Sequence, residues 1–226
     1  MTPSVQRQAL CVPNLLSNGS NLMSFYDRHV LPHLLNFAMR QKALQPFRTR
    51  VIGAAGGRVL EIGVGSGLNF PLYGRSVSSI VGLDPAPELL RMAAAMAARA
   101  PAPVELIQAS AEAIPIESGS IDTVVTTWTL CTIPDAAGAL REARRILKPN
   151  GVLLFVEHGR APEPGVARWQ DRLDPLWGRI AGGCHLNRPI DKLISAAGFR
   201  FEHLSHDRLP GPATHTFLSE GKAHPT

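Results

Sequence analysis

The chain has 226 residues, 45% of them hydrophobic, with 23 basic and 18 acidic residues and a net charge of +5. That length buries a substantial core unaided, and three scattered cysteines, Cys11, Cys131 and Cys184, with no Cys-x-x-Cys pair, predict neither a disulfide framework nor a zinc site and suit a reducing cytoplasm. The charge excess is too mild for a nucleic-acid binder, the N-terminus has no signal-peptide core, and no apolar run reaches the ~18 residues that span a bilayer, so a soluble or peripheral protein is expected.

Residues 1–50 are set apart by charge. No acid falls between Asp27 and Glu61, while Arg28, Arg40, Lys42, Arg48, Arg50 and Arg58 all do. Leu22, Tyr26, His29/Val30, His33/Leu34 and Phe37/Ala38 recur at helical spacing there, a basic amphipathic helix that Pro32 bends or restarts. Such a helix serves as a lid over a site, lies on an anionic membrane, or packs on the domain with its arginines in solvent. Tyr26 on its apolar stripe is a candidate substrate contact.

Residues 51–226 read as one catalytic domain. Arg58 to Ile62 is an apolar strand that runs into Glu61-Ile62-Gly63-Val64-Gly65-Ser66-Gly67. The dinucleotide pattern G-x-G-x-x-G would need glycine at Leu68 or Phe70, so NAD is disfavoured. Glu61 at the turn repels phosphate and suits a cationic amine or hydroxyls. The next strand, Ser79 to Asp84, ends in a carboxylate about 20 residues on, the position that accepts hydrogen bonds from a ribose diol. Pro85 then leads into a helix across Pro87 to Arg99, where a missing N–H costs little. A strand, a glycine loop, a second strand and a terminal acid, with a cationic amine and a ribose to hold, point to S-adenosylmethionine (SAM).

Strand three is Val104 to Gln108 and strand four Ile121 to Thr127. Asp135 is the N-cap candidate of a helix to Leu147, Lys148-Pro149-Asn150-Gly151 reads as a turn, and Val152 to Glu157 is strand five. A segment at 159–189 interrupts the alternation before a helix over Pro189 to Ala197 and a closing strand pair, Phe199 to Ser205 and Thr214 to Ser219. Strands alternating with helices predict an α/β fold: a Rossmann-like, mostly parallel sheet with helices on both faces. Ligands bind such sheets beyond the carboxyl ends of the strands. That rule selects Thr127, Trp128 and Cys131 after strand four, with Trp128 either pocket wall or core, and Glu157 and His158 after strand five.

These motifs resemble the class I SAM-dependent methyltransferases over about residues 20 to 220. The resemblance implies a seven-stranded sheet whose last strand is antiparallel. It assigns Ser110, Ala111 and Glu112 to the adenine side, with Ser110 where many relatives carry Asp, and Thr127 to the methionine end of the donor, beside Glu61, Gly63, Gly65, Gly67, Asp84 and Pro85. Leu173-Asp174-Pro175-x-Trp177 and Gly183-Cys184-x-Leu186-x-Arg188, with Glu157-His158 and Thr129-Leu130-Cys131, are similar to a narrower group. These are the membrane-associated thiol methyltransferases of animals and bacterial relatives labelled phospholipid methyltransferases.

In-line methyl transfer depends mainly on geometry, which is worth on the order of 7 to 11 kcal/mol. A thiolate acceptor needs a positive surrounding, for which Arg188 and His185 are candidates; an amine acceptor, including the phosphatidylethanolamine type, needs a base, for which His158 or Glu157 is available. Cys184 reads as packing or a cofactor contact. No clustered carboxylates suggest a metal, and no Asn-Pro-Pro-aromatic tetrad follows strand four, so no nucleic-acid partner is expected. A SAM-binding module without catalysis is the remaining alternative.

Overall fold

A computed structural model describes Tyr26 and residues 30–226. The expected stripe residues Leu22 and His29, and Cys11 and Arg28, lie outside the described residues. Among the described residues no helix is long and apolar enough to cross a membrane.

The architecture is a seven-stranded sheet with helices packed on both faces. The strands are β1 (Gly57–Ile62), β2 (Val77–Asp84), β3 (Val104–Gln108), β4 (Ile121–Thr127), β5 (Leu147–His158), β6 (Phe199–Arg208) and β7 (Phe217–Pro225). Their order is β3-β2-β1-β4-β5-β7-β6. Strands β1 to β5 pair in parallel, as the alternation of strands and helices predicted, and β7 is antiparallel to both β5 and β6, as the resemblance implied for the last strand. The helices are α1 (Leu31–Ala38), α2 (Gln45–Gly53), α3 (Pro87–Ala97), α4 (Ala136–Ile146), α5 (Pro164–Ile180), α6 (Ile190–Ala196) and the single turn α7 (Ala213–Thr216).

Side-chain alternation divides the sheet between two cores. Leu60 and Ile62 of β1, Val124 of β4 and Leu153 and Phe155 of β5 meet Leu140 and Ile146 of α4 and Ile194 of α6. Val59, Val125, Leu154 and Val156 meet Phe47 and Ile52 of α2, with Phe70 and Tyr73. Alternation puts Glu61 on the Val59 face, under Phe70 and Tyr73, and this is why a carboxylate at the end of an apolar strand is only 1% exposed.

Local signals explain most ends. Asp135 caps α4 by accepting from Gly138 N at 2.8 Å, and Pro32 sits in the first turn of α1, restarting a helix where its missing N–H is harmless. Three expectations need correction. Lys148-Pro149-Asn150-Gly151 is not a free turn but part of β5, in an irregularity where the pairing jumps from Ile121↔Leu147 to Thr123↔Val152. Thr214–Thr216 belong to α7, and the last strand starts at Phe217 because the chain must turn after β6. Most of the 159–189 segment is the helix α5, in which Pro175 is carried inside the helix.

Candidate active site

A cavity of about 500 Å³ opens at the carboxyl ends of β1, β2, β3 and β4. The strand order reverses between β1 and β4, and this switch point is where doubly wound sheets bind ligands. Its floor is the glycine loop. Gly63 has φ +69, and a Cβ there would stand 2.3 Å from Thr129 Cγ2. The close packing of the β1 loop on the β4 loop therefore requires glycine for both conformation and space. At Gly65, φ +54, a Cβ would have only Gly63 O within 4 Å and would occupy the cavity itself.

Beneath that floor lies a buried polar network. The two Glu61 oxygens accept from Asn69 Nδ2 and from the Tyr73 hydroxyl, each at 2.7 Å. Asn69 Nδ2 also donates to Thr127 Oγ1 at 3.0 Å, and Asn69 Oδ1 accepts from Arg48 Nη1. One amide thus links a carboxylate, an arginine and a threonine from three elements. Burial pushes the Glu61 carboxyl up to about 7 against the downward pull of Tyr73, Asn69 and Arg48. Burial likewise lowers the Arg48 guanidinium. Asp84 accepts from Gly65 N at 3.0 Å and Ala86 N at 2.9 Å, so the carboxylate that ends β2 also shapes the glycine loop. Its pKa is raised, mainly by burial.

The cavity lining includes Glu61, Gly63, Gly65, Asp84, Pro85, Ser110, Ala111, Thr127 and Trp128. Gly67 lies behind the wall, where its φ of +77 and a would-be Cβ 2.8 Å from Phe70 exclude a side chain. Glu112 faces away and accepts from Asp135 N at 2.7 Å, while its own N–H donates to Ser110 Oγ. Trp128 alone among the described non-glycine residues has positive φ, at 52. Such strain needs a firm setting. Trp128 N donates to Val156 O at 2.9 Å, and Arg48 lies 5.0 Å from the ring centroid.

Helix α1 roofs the cavity through Leu31, Pro32, Leu35, Asn36 and Met39. Ser66 Oγ donates to Asn36 Oδ1 at 2.7 Å, joining roof to floor. Arg48, expected among solvated cations, is instead 5% exposed inside the network, because α2 packs against the β1 face that buries Glu61. Asn69 and Tyr73 were not singled out in the sequence, and Arg48 was read only as one of a run of cations. Only the partner requirement of a buried Glu61 could have pointed to them.

Other candidate residues stand outside the lining. Glu157, fully buried and pushed by burial up to about 8, accepts through Oε2 from Thr129 N at 2.9 Å and Leu130 N at 3.0 Å. It therefore holds the β4–α4 loop. Arg188 donates to Leu130 O and Ile133 O of the same loop. His185 Nδ1 pairs with Asp174 Oδ2 at 2.8 Å on α5. Tyr26 donates to Ile180 O at 3.1 Å, at the carboxyl end of α5. His158 and Cys131 sit together behind the cavity wall, beside Cys184.

SAM fits this arrangement. Two buried carboxylates at the ends of adjacent strands match an amine and a diol, the Gly65 position leaves backbone exposed to a ligand, and the cavity is of ligand size.

Residues 60–155 match a family model described as a methyltransferase domain. Human thiol S-methyltransferase TMT1B is 32% identical over 194 residues, covering 83% of this chain and 78% of that protein. Phosphatidylethanolamine N-methyltransferase of Cereibacter sphaeroides is 32% identical over 131 residues, 54% of this chain and 64% of that protein. Among solved structures, a SAM-dependent methyltransferase from Thermotoga maritima has a TM-score of 0.63 at 22% identity, over 88% of this chain and 100% of that one. The [4+2]-cyclase SpnF has a TM-score of 0.66 at 18% identity, over 90% and 94%. At these identities the two structures speak for the fold alone.

Proposed function

The chain belongs to the SAM-dependent methyltransferases, and from that premise we propose that it methylates a small apolar thiol drawn from a membrane surface. When bound, SAM supplies an electrophilic methyl carbon on a sulfonium that leaves as a neutral thioether. The observation that carries the choice of acceptor is the titratable content of the cavity wall. Among the described residues it comprises Arg48, Glu61 and Asp84 only, all at the cofactor end. Among the described residues, the lining includes no histidine, lysine, cysteine or tyrosine to remove a proton.

An acceptor that enters this cavity must bring its own nucleophile. A thiol with a pKa near 8.5 is already a few per cent thiolate at neutral pH, whereas an alkyl amine near 10.4 is almost wholly protonated. The acceptor end of the cavity is apolar, made by Leu31 and Leu35 of α1 with its C-cap Met39, and by Trp128, Ile133 and Pro134 of the β4–α4 side. These residues exclude water and orient an apolar chain, and Arg48 over the Trp128 face holds that ring in place. Human TMT1B is named for thiol S-methylation and the Cereibacter protein for an amine lipid. Both lining carboxylates are already engaged, Glu61 by Asn69 and Tyr73 and Asp84 by the loop N–H groups, and this favours the first chemistry.

Access from a lipid surface is supported by two exposed apolar rows. Val30 at the N-cap of α1 with Leu34 and Phe37 on it, and Trp169, Leu173, Leu176 and Ile180 on α5, recur at helical spacing and face solvent. The α5 carboxylates Asp171 and Asp174 are taken up by Arg160 and His185. Arg168, Arg172 and Arg179 have no carboxylate partner among the described residues, which suits anionic headgroups.

The test is methyl transfer to a series of alkyl thiols of graded pKa, against phosphatidylethanolamine. The proposal expects thiol turnover, with kcat/KM rising with pH at the acceptor's own pKa, so that the inflection moves from thiol to thiol. An inflection fixed in the enzyme, or turnover of the amine lipid alone, overturns it.

A further inference from the structure

Behind the cavity wall three chain segments bring together Cys131 from the β4–α4 loop, Cys184 from the loop after α5, and His158 from the end of β5. One ligand atom from each lies within 4.8 Å of the others. The two sulfurs are 3.6 Å apart. Tetrahedral zinc with bonds of about 2.3 Å separates two thiolates by roughly 3.8 Å, while a disulfide needs about 2.05 Å. His158 is 7% exposed, and its Nε2 is buried with no oxygen or nitrogen partner, the imidazole interacting instead with the Cys184 sulfur. A buried imidazole nitrogen with only a weakly accepting sulfur beside it is poorly satisfied unless a stronger partner binds it.

We propose that Cys131 Sγ, Cys184 Sγ and His158 Nε2 form a site for a thiophilic divalent cation, zinc in the first instance, with water in the fourth position. Sulfur and imidazole donors in this ratio select zinc over magnesium or calcium, which take oxygen. Each thiol that binds gives up its proton as the sulfur–metal bond forms, so the site tightens as pH rises. Two thiolates neutralise the ion, so the site adds no net buried charge.

The surroundings suit outer-shell support. His185 N donates to Cys131 O at 2.8 Å, fixing the backbone of one ligand against the loop of the other. The Trp177 indole N–H is buried without an oxygen or nitrogen acceptor. It interacts with the Cys184 sulfur, and its ring stands 4.5 Å from that of His215. A bound ion would pin together three segments, two of which line the cavity one residue away, through Thr132 and Gly183. The absent Cys-x-x-Cys pair argued against zinc, but these ligands lie far apart in the chain and only the fold collects them.

The experiment is anaerobic titration of the reduced, chelator-treated full-length protein with Co²⁺. The proposal expects one cobalt per chain with the intense visible bands of tetrahedral coordination and thiolate-to-metal charge transfer, displaced by one equivalent of Zn²⁺. Cys184→Ser and His158→Gln should each weaken binding by about a hundredfold, at or beyond the upper range for outer-shell partners, and abolish or shift the bands. Cys11→Ser should leave them unchanged. Cys184 is only half buried, so Cys184→Ser keeps the test open if Cys131→Ser fails to fold. No uptake by reduced protein, an octahedral spectrum, or binding that survives both variants overturns the site. Loss of two thiols to a 131–184 disulfide with no cobalt uptake after reduction overturns it in favour of a redox pair.

Discussion

The two ends of the cavity are built on opposite principles. The cofactor end is polar, buried and tied to strand termini: Glu61, Asp84 and Thr127 stand at the ends of β1, β2 and β4, and nearly every polar atom there has a partner within the protein. The end proposed for the acceptor is apolar and made by α1 and the β4–α4 loop, with Arg48 over the Trp128 ring at its border. A polar site must satisfy each donor and acceptor, so its residues come as an interlocked set. An apolar site need only exclude water, and many side chains do that. The difference teaches that a polar pocket constrains its ligand atom by atom, whereas an apolar one admits a class of ligands.

The interlocking can be broken at its hub. Asn69→Leu keeps the branched shape of the side chain but strips Glu61 of one donor and Arg48 of its side-chain acceptor, both nearly fully buried. Removing one member of a buried charged set costs about 3–5 kcal/mol. The expected result is a fall of that size in unfolding free energy from urea titration, with loss of SAM binding in whatever folds. A loss below about 1 kcal/mol would mean that the network is not interlocked.

Titration sharpens the same contrast. Glu61 holds its proton more tightly in the folded protein, with a pKa of about 7 against an ordinary 4.5. The folded state therefore binds more protons between these values. The associated stability is fully present below pH 4.5 and is lost as pH rises through 7. The change is about 3 kcal/mol, and Glu61→Gln should abolish it. Urea midpoints at pH 5 and 7.5 measure this, and the difference between wild type and variant cancels other carboxyls. Parallel profiles would show that Glu61 is not held this way.

The asymmetry also decided what could be read before the fold was known. The apolar strands, the glycine loop, Asp84 at a strand end and the Asp135 cap are local patterns, visible within a few residues. Arg48 was not, because nothing near it in the chain says that α2 will press it against Trp128 and Asn69. Lys148-Pro149-Asn150-Gly151 has turn chemistry, yet pairing with β4 draws it into β5 as an irregularity. Glu157 and Arg188 were placed by residue type near the acceptor, whereas their polar atoms hold the β4–α4 loop. Residue type names a chemistry; only packing says which way it points.

A smaller effect is expected from Asp84→Ala. The carboxylate accepts two loop N–H groups, and its loss should weaken SAM affinity by more than tenfold, about 1.4 kcal/mol, with the fold intact. Calorimetry with SAM measures it, and unchanged affinity at normal melting temperature removes Asp84 from the cofactor site.

The smallest effect on the protein itself should come from the exposed rows, where the contrast is between folding and docking. Leu176 on α5 is 62% exposed and Phe37 on α1 is 79% exposed, so Leu176→Ser and Phe37→Ser should shift stability by no more than about 0.5 kcal/mol. If these side chains enter a bilayer surface, each contributes about 1.5–3 kcal/mol there by leaving water, so each serine should cut partition onto anionic vesicles about tenfold or more. Sedimentation with phosphatidylserine-containing vesicles at low and high salt reads both contributions: the arginine attraction fades with salt, and the apolar one persists. Vesicle binding that ignores both serines would confine recognition to charge. Full thiol turnover without any vesicle binding would show that an apolar acceptor reaches the cavity directly from water.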